Sequence, residues 1–271
     1  MEVHFIDVGC GNMVLIVLPE GSVLIYDCNI TNDNTGRVLL YLYRIIDNKS
    51  IDVFINSHRD ADHMRGIKKL HAANTIKAIW DTGVPGTTTY SPEYREYMDL
   101  RRSLPSKEIE PRKYWTYGDA KLRCMNSKWE DFSEPNEQSV VLKIEYKGSS
   151  VMLSGDTNYR PWKEKLLTFY KNGDLGSDIL LAAHHGSLSF FDDPSNSQNY
   201  YTNHIRKINP AMTLISVGPN NYDLPNKKAV ELYEKFSRGS EKGNKVFTTE
   251  NKGTMKLVMK EAGGWTLYSN Q

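Results

Sequence analysis

Four side chains that can bind a metal ion fall within six consecutive residues of this 271-residue sequence: His58, Asp60, Asp62 and His63. Apolar residues before them, in the run 52–57, predict a buried strand, and residues 64–70 begin a helix-like pattern. The four side chains therefore lie in a strand-to-helix turn, where consecutive residues can converge as they cannot in a helix or a strand. Imidazole and carboxylate ligands suit zinc, manganese or iron. Four of them exceed what one tetrahedral ion needs from a short loop, which indicates a two-metal site.

Two other segments present ligand-type residues directly after an apolar strand pattern. Asp156 follows the run 150–155, and His184 and His185 follow the run 178–183. Taken singly, an aspartate at a strand end usually serves a turn, and a lone histidine is usually structural. That structural interpretation is kept for four other residues: Asp7, His4, His71 and His204. Three ligand-bearing clusters in one chain are difficult to explain by structure alone, so we expect them to meet in one site.

The order of the predicted elements indicates how these clusters are brought together. Strand patterns over 3–8, 13–18 and 22–27 are followed by strands that alternate with helices, and a similar order recurs after Asp119. Both halves place polar residues at strand ends, on one edge of a layered α/β sandwich. The length favours one large domain over two.

The segment 83–117 differs in composition, because it is rich in Thr, Tyr, Pro and charged residues and contains one helix pattern, from Ser91 to Leu104. Its basic residues are Arg95, Arg101, Arg102, Lys107, Arg112 and Lys113. The simpler interpretation is a solvated insertion helix packed over the sheet. The alternative is a basic wall of the active-site cleft that also carries aromatic residues.

Composition excludes few partners. The 34 basic and 33 acidic residues give a net charge of +1, so there is no global electrostatic reason to expect a polyanion, although a local basic face stays open. The cysteines Cys10, Cys28 and Cys124 are scattered and form no CxxC pair, which fits a reducing cytoplasm. We see no signal peptide and no run long enough to span a bilayer, so we expect a cytoplasmic protein with no membrane partner.

The motif His58-x-Asp60-x-Asp62-His63, followed by Gly66, resembles the metal-binding loop of the metallo-β-lactamase superfamily, where histidine is usual at the position of Asp60. Other segments resemble one prokaryotic branch, the hydrolase domain of the DNA-uptake competence proteins of the ComEC/Rec2 type and their soluble relatives. These segments are 5–9, 136–142, 153–156, 184–187 and 216–220. The resemblance covers nearly the whole chain. It implies one domain over 1–271 with a four-layer αββα sandwich and a helical insertion around 83–117.

The resemblance also implies a role for each candidate ligand. His58 and Asp60 would hold the first ion; Asp62, His63 and His184 the second; and Asp156 would bridge the two. Asp27, at its strand end, would support a ligand histidine or the loop backbone. His185 would lie at the site edge, where it can contact the substrate or transfer a proton, so the catalytic residues would be Asp62, Asp156 and His185. The choice between His184 and His185 as ligand stays open; we favour His184 because it comes first off the strand.

Besides Asp60, three features depart from the superfamily pattern. Most members have another histidine between the first loop and the bridging aspartate, where this chain has only His71, inside a predicted helix. The competence-type branch also lacks that histidine, which predicts an oxygen-rich first metal site and favours manganese over zinc. Asn12 replaces a frequent aspartate, and Leu224 replaces a frequent histidine before proline. These two changes concern substrate contacts and leave the metal core intact.

The leading functional hypothesis is a metal-dependent phosphodiesterase or nuclease that acts on DNA or nucleotides through water activated by two divalent ions, zinc or manganese. The aromatic residues Phe190, Phe191, Tyr200, Tyr201 and Tyr222 are candidates for stacking on bases. Core packing is the expected role of at least half of them. One alternative is a hydrolase of a lactone, thioester or β-lactam. The other is a catalytically marginal subunit of a prokaryotic immunity or DNA-processing complex, with a protein partner.

Overall fold

Two facing β-sheets form the centre of the molecule in a computed structural model that describes residues 1–171, 173–196, 200–239 and 245–269. The strands are β1 (Glu2–Phe5), β2 (Val14–Val17), β3 (Val23–Tyr26), β4 (Cys28–Asn29), β5 (Val53–Ile55), β6 (Ile79–Asp81), β7 (Ser106–Glu108), β8 (Tyr114–Tyr117), β9 (Ala120–Cys124), β10 (Leu142–Tyr146), β11 (Ser149–Leu153), β12 (Ile179–Leu181), β13 (Met212–Ile215), β14 (Val246–Thr248), β15 (Met255–Met259) and β16 (Trp265–Ser269). The first sheet has the order β16-β15-β1-β2-β3-β5-β6-β7, and the second has the order β14-β13-β12-β11-β10-β9-β8.

Helices cover the outer face of each sheet. The α-helices are α1 (Thr35–Ile46), α2 (Ala61–Met64), α3 (Ile67–Ala73), α4 (Pro92–Ser103), α5 (Tyr159–Pro161), α6 (Leu167–Phe169), α7 (Asn203–Ile208), α8 (Lys227–Phe236) and α9 (Thr249–Lys252). A π-helical stretch, Trp162–Leu166, joins α5 to α6. Among the described residues, no helix is both long enough and apolar enough to cross a membrane.

Alternation along the strands divides the apolar residues among three layers. In β3, Leu24 and Tyr26 face the space between the sheets, whereas Val23 and Ile25 pack under the helices of the first sheet. In the second sheet, Leu181 faces inward and Leu180 packs under the helices on the other side. The resulting order of helix, sheet, sheet and helix confirms the predicted four-layer αββα sandwich.

Helix α1 shows why these sequences form covering helices. Its buried residues Val38, Leu42 and Ile46 recur every four positions and make one apolar stripe. On the other side of the molecule, α8 begins at Asn226, whose side chain accepts hydrogen bonds from the N–H groups of Lys228 and Ala229.

The segment 83–117 contains more than the predicted helix. Helix α4 begins at Ser91, whose hydroxyl caps it, and buries Tyr97 and Leu100. The same segment contributes β7 to the edge of the first sheet and β8 to the edge of the second. These two strands were missed because their side chains are largely exposed and their sequences are polar or aromatic without an apolar run.

Parallel pairing fixes where the polar strand ends meet. Strands β3 and β5 are parallel, as are β11 and β12. Asp27 follows β3, His58 follows β5, and Asp156 follows β11. The carboxyl ends of parallel strands share one edge of a sheet, which is where α/β proteins commonly bind ligands.

Candidate metal centre

Asp156 lies at the middle of the candidate site. Its Oδ2 atom is 3.2 Å from Nε2 of His63, 3.7 Å from that of His184, 3.7 Å from that of His185 and 3.9 Å from that of His58. The residue is 3% exposed. Because a carboxylate has two oxygens, one buried aspartate surrounded by imidazoles has the form that a bridge between two cations requires.

Two groups of ligand atoms are compact enough to hold one ion each. The atoms within each group all lie within 4.8 Å of one another. One group is His58, His63 and Asp156; the other is Asp62, His63 and His185. In the second group, Nε2 of His185 is 3.3 Å from Oδ2 of Asp62. The structure therefore brings four of the predicted ligands together and adds His185 to them.

Four ligand atoms of this cluster are buried and lack hydrogen-bond partners among the described residues. Within the described part of the chain, none is found for Nε2 of His58, His63 or His185, or for Oδ1 of Asp156. An unsatisfied buried polar atom costs about 1–3 kcal/mol, so four in one cluster call for a physical cause. Neutral imidazole nitrogens and carboxylate oxygens are metal ligands, and cations between them would satisfy all four atoms. The residues present therefore fit a divalent metal centre.

Asp27 supports both a ligand histidine and the loop backbone. Its Oδ2 atom is 2.8 Å from Nδ1 of His63, and its Oδ1 atom accepts the backbone N–H of Ser57 at 2.7 Å. The Ser57 hydroxyl donates to the same Asp27 side chain and lies 3.0 Å from Nδ1 of His58. A carboxylate on the far nitrogen of a ligand histidine fixes its tautomer and its orientation.

The two consecutive histidines occupy different environments. Both have left-handed backbones, with φ of 49° at His184 and 52° at His185. His185 is 2% exposed and donates its Nδ1–H to the carbonyl of Ser216 at 3.0 Å, whereas the side chain of His184 is 33% exposed. His185 therefore belongs to a compact ligand group and His184 does not, which differs from the sequence-based preference for His184. The positive φ angles turn the chain at this point, so the first of the two histidines after β12 is not the one that packs among the ligands.

Asp60 lies at the rim of the site, outside both compact groups. Its Oδ2 atom is 3.7 Å from Nε2 of His58. Its Oδ1 atom accepts two hydrogen bonds from Thr87, one from the backbone N–H at 2.9 Å and one from the hydroxyl at 2.8 Å. One oxygen of Asp60 is therefore committed to the neighbouring loop, and the other faces the first predicted ligand.

Mutual attraction sets the charge states of the cluster when no cation is present. Burial acts to raise the pKa of Asp62 and Asp156, but the neighbouring imidazoles hold both pKa values below the usual range. Burial acts to lower the pKa of His63 and His185, but the carboxylates raise both. Burial and the adjacent His63 lower the pKa of His58. Divalent cations would displace the protons that balance the carboxylates, so metal binding and proton release are coupled here.

The histidines that were given a structural interpretation make structural contacts. Buried His4 pairs with the Tyr41 hydroxyl at 2.7 Å. His71 accepts a backbone N–H just after α3, and His204 contacts a backbone carbonyl in the aromatic core of the second half. His71 therefore does not supply the missing middle histidine.

Two departures from the superfamily pattern lie beside the site. Asn12 is 1% exposed, and its backbone N–H donates to the carbonyl of Asp62 at 3.3 Å. Both polar atoms of its side chain lack partners within the described residues. Leu224 lines the same cavity as the metal ligands.

The aromatic candidates divide between the core and the surface. Phe190 and Phe191 are fully buried. Tyr200 is 39% exposed, and Tyr201 is partly buried and packs at 5.1 Å from the ring of His204. Tyr222 is 79% exposed and lines the cavity beside the ligands. Tyr222 is thus the aromatic residue of this set with a ring available at the site.

A cavity of about 490 Å³ opens onto the candidate ligands. Its lining includes Cys10, Asp62, Arg65, His184, His185 and Tyr222. A larger cavity of about 700 Å³, lined by Phe247, Trp265 and Leu267 among others, includes none of the ligands in its lining. The chemistry therefore belongs to the smaller cavity.

Sequence reasoning missed Arg65 and Thr87. Arg65 is only three positions beyond Asp62, in the same loop, and its proximity in sequence was the available signal. Thr87 reaches Asp60 from a loop 27 residues away, and nothing local in the sequence marks that contact.

A sequence profile of the metallo-β-lactamase superfamily matches residues 6–189 of this chain. No curated protein matches it.

Several solved structures are similar. A metallo-β-lactamase fold protein from Bacillus subtilis, YhfI, is 12% identical, with 94% of this chain and 99% of that chain covered and a TM-score of 0.54. The diiron β-hydroxylase CmlA from Streptomyces venezuelae is 12% identical, with 95% and 54% covered and a TM-score of 0.58, so this chain spans about half of it. A metallo hydrolase from the archaeon Ignicoccus hospitalis is 11% identical, with all of both chains covered and a TM-score of 0.50. At these identities the likeness shows the fold alone.

Proposed function

This chain belongs to the metallo-β-lactamase superfamily, and from that premise we propose that it is a metal-dependent phosphodiesterase that acts on nucleic acid or nucleotides. The superfamily consists mostly of metal-dependent hydrolases, and the buried cluster of unsatisfied imidazole nitrogens supports such a role. The observation that carries the phosphodiester assignment is that Arg65 lines the same cavity as Asp62 and His185. A guanidinium beside the ligands suits an anionic substrate.

We assign the ligands from the distances. His58, Asp60 and Asp156 would hold the first ion, and Asp62, His63 and His185 would hold the second, with Asp156 between them. When bound, two divalent cations supply a nucleophile derived from water at neutral pH and offset charge on the phosphoryl oxygens. The carboxylate at Asp60 makes the first position richer in oxygen, which favours manganese over zinc.

The remaining side chains orient the ligands and handle protons. Asp27 and Ser57 fix His63 and His58 from behind, so that both rings present Nε2 to the site. His184 is one-third exposed, faces the cavity and lies 3.7 Å from Asp156, so it is placed to deliver a proton to the leaving oxygen. This exchanges the roles first expected for His184 and His185.

The two alternatives predict different features. A lactone, thioester or β-lactam hydrolase would be supported by a cavity without a basic group, but Arg65 is present. A catalytically marginal subunit would be supported by ligands that are scattered or replaced, but five candidate ligands from His58 to His185 converge in two compact groups. The finer resemblance to the ComEC/Rec2-type hydrolase domain points in the same direction as the phosphodiesterase proposal.

Hydrolysis assays on a substrate panel test the proposal. Single-stranded DNA, duplex DNA, RNA, cyclic nucleotides and a lactone would each be offered with manganese or with zinc, to the wild type and to the double variant His58→Ala/Asp62→Ala. We expect cleavage of at least one phosphodiester by the wild type and none by the double variant. Turnover of the lactone alone, or full activity in the double variant, would show that the assignment is wrong.

A further inference from the structure

The cavity at the metal centre is sized and charged for a small ligand. Its volume of about 490 Å³ falls in the range of roughly 300–1,000 Å³ that is usual for small-molecule sites. Among the described residues that line this cavity, Arg65 is the only arginine or lysine. A site built to follow a nucleic-acid backbone would instead present a row of cationic side chains.

Arg65 is held in place. Its Nη1 atom donates to Oδ1 of Asn29 at 2.9 Å, and its Nε atom donates to Glu93 at 3.3 Å. The Asn29 side chain is itself anchored, because its amide donates to the carbonyl of Cys10 at 2.8 Å. The side chain of Arg65 keeps 34% of its surface exposed. Glu93 offsets part of the Arg65 charge. The guanidinium is nevertheless already oriented and still accessible, so it can receive an anionic oxygen with little loss of side-chain freedom.

Beyond Arg65 the surface is slightly acidic. A neighbouring cavity of about 480 Å³ also includes Arg65 in its lining, together with Lys69. Three carboxylates line it as well, those of Asp33, Glu93 and Glu96. Formal charges in this second cavity therefore sum to an excess of one negative charge, which opposes a phosphate chain leaving the metal centre in this direction.

The basic wall that was the alternative interpretation of the segment 83–117 does not provide another cationic path. Arg101 pairs with Asp81, Arg102 with Asp99, and Lys113 with Glu110.

Lys107 is 3.7 Å from the centre of the Trp80 ring, and Arg112 is 3.7 Å from that of Phe169. These two side chains keep their charge, but the segment 83–117 has five acidic residues against its six basic ones. Its formal charge is therefore only +1, which leaves little net attraction for a long polyanion.

Tyr222 supplies an aromatic face to the cavity, and the residue is 79% exposed to solvent. The loop that carries it is nevertheless ordered by Asn220. The Asn220 amide donates to the carbonyls of Gly218 and Leu224, and its oxygen accepts the N–H groups of Tyr222 and Leu224. An exposed ring on a fixed loop is a suitable surface for one stacked base.

We propose that the substrate is a nucleotide-sized phosphodiester, with its anionic oxygens on Arg65 and one base against Tyr222, and that a nucleic-acid strand is not the preferred substrate. This inference rests on the proposed phosphodiesterase function and narrows it. Arg65 acts as a specificity-determining residue, and Lys69, in the acidic neighbouring cavity, does not.

Kinetics on three phosphodiesters test the inference: a 3′,5′-cyclic mononucleotide, a dinucleotide with one phosphodiester bond, and a DNA strand of ~30 nucleotides. The manganese-loaded wild type would be compared with Arg65→Gln, Tyr222→Ala and the control Lys69→Gln, at low and moderate salt. We expect the highest kcat/KM on one of the two small substrates, with weak salt dependence. Arg65→Gln should raise KM for that substrate by about tenfold or more, as expected for loss of a hydrogen bond to a charged group. Lys69→Gln should leave it unchanged.

Binding of a nucleoside 5′-monophosphate, measured by calorimetry on the same proteins, gives a second readout that does not depend on turnover. Arg65→Gln and Tyr222→Ala should each weaken binding, and Lys69→Gln should not. Preferred cleavage of the long strand with a steep salt dependence, or equal effects of Arg65→Gln and Lys69→Gln, would overturn the inference and leave the phosphodiesterase proposal standing. Failure of the wild type on every phosphodiester would overturn both.

Discussion

One carboxylate oxygen of Asp60 accepts two hydrogen bonds from Thr87, and the other lies 3.7 Å from Nε2 of His58. Asp60 stands at the N-cap of α2, where an aspartate usually accepts a hydrogen bond from its own helix, yet it makes no such bond. The loop that carries Thr87 fits closely against the metal-binding loop, because a Cβ atom at Gly86 would lie 1.9 Å from the carbonyl oxygen of Arg59. The carboxylate is thereby fixed in one orientation.

Removing the Thr87 hydroxyl should weaken the first metal site. Thr87→Val keeps the backbone N–H but loses one of the two hydrogen bonds to Asp60, and losses of this kind typically cost ten- to a hundredfold in metal affinity. Manganese titration by calorimetry should show weaker binding of one ion and unchanged binding of the other. Thr89→Val, at an exposed position of the same loop, is the matched control. Identical titrations for the two variants would show that the Thr87 hydroxyl does not position Asp60.

The two consecutive histidines should fail in different ways when substituted. His185→Gln removes a buried ligand, so we expect one of the two ions to be lost. His184→Gln should keep both ions and lower kcat by about 10²–10⁴-fold, the usual contribution of general acid–base catalysis. Metal analysis and kcat on the same preparations distinguish the two roles. Loss of metal in His184→Gln with retention in His185→Gln would restore the original assignment.

Asp27→Asn should reduce metal affinity although Asp27 is not a ligand. The amide cannot replace the negative charge beside Nδ1 of His63, which lies 2.8 Å away, so the ring loses its orienting partner. We expect a ten- to a hundredfold weaker manganese affinity. Asp52→Asn, whose carboxylate pairs with Lys77 away from the site, serves as the control. Unchanged affinity in Asp27→Asn would mean that the loop backbone alone positions His63.

The Asp81 carboxylate should make the free energy of unfolding depend on pH in the acidic range. Burial acts to raise its pKa, but hydrogen bonds and charge from Arg101 and Arg59 lower that pKa below the ordinary value, with Tyr97 contributing a further hydrogen bond. A carboxyl with a lowered folded-state pKa stabilises the protein above its unfolded-state pKa, and this stabilisation is lost as the pH falls through the folded-state pKa.

The corresponding measurement is urea unfolding of the wild type and Asp81→Asn between pH 7 and about pH 3. At neutral pH we expect the variant to be less stable by about 3 kcal/mol, since Arg59 is left buried beside a neutral side chain. The difference in free energy of unfolding between the two proteins should become smaller at the lowest pH values. A difference that is constant over this range would contradict the role assigned to the Asp81 charge.

The sequence was sufficient to identify the loop His58–His63 and its partner Asp156, because ligand spacing and the preceding strands are local patterns. It was not sufficient to choose between His184 and His185, since the choice depends on two left-handed backbone conformations that neither residue type demands. The contact between Thr87 and Asp60 could not be predicted from the sequence for a different reason. It exists only because the segment 83–117 folds back over the loop. Short exposed strands such as β7 carry too few apolar residues to be recognised.

The direct test of the two-metal centre is the number of manganese ions bound per chain after the protein is stripped of metal and dialysed to equilibrium. Asp156 is within 4 Å of four imidazole nitrogens, so we expect two ions for the wild type and the loss of tight binding at both positions in Asp156→Ala. Binding of no ion or of a single ion by the wild type, or of two ions by Asp156→Ala, would contradict it.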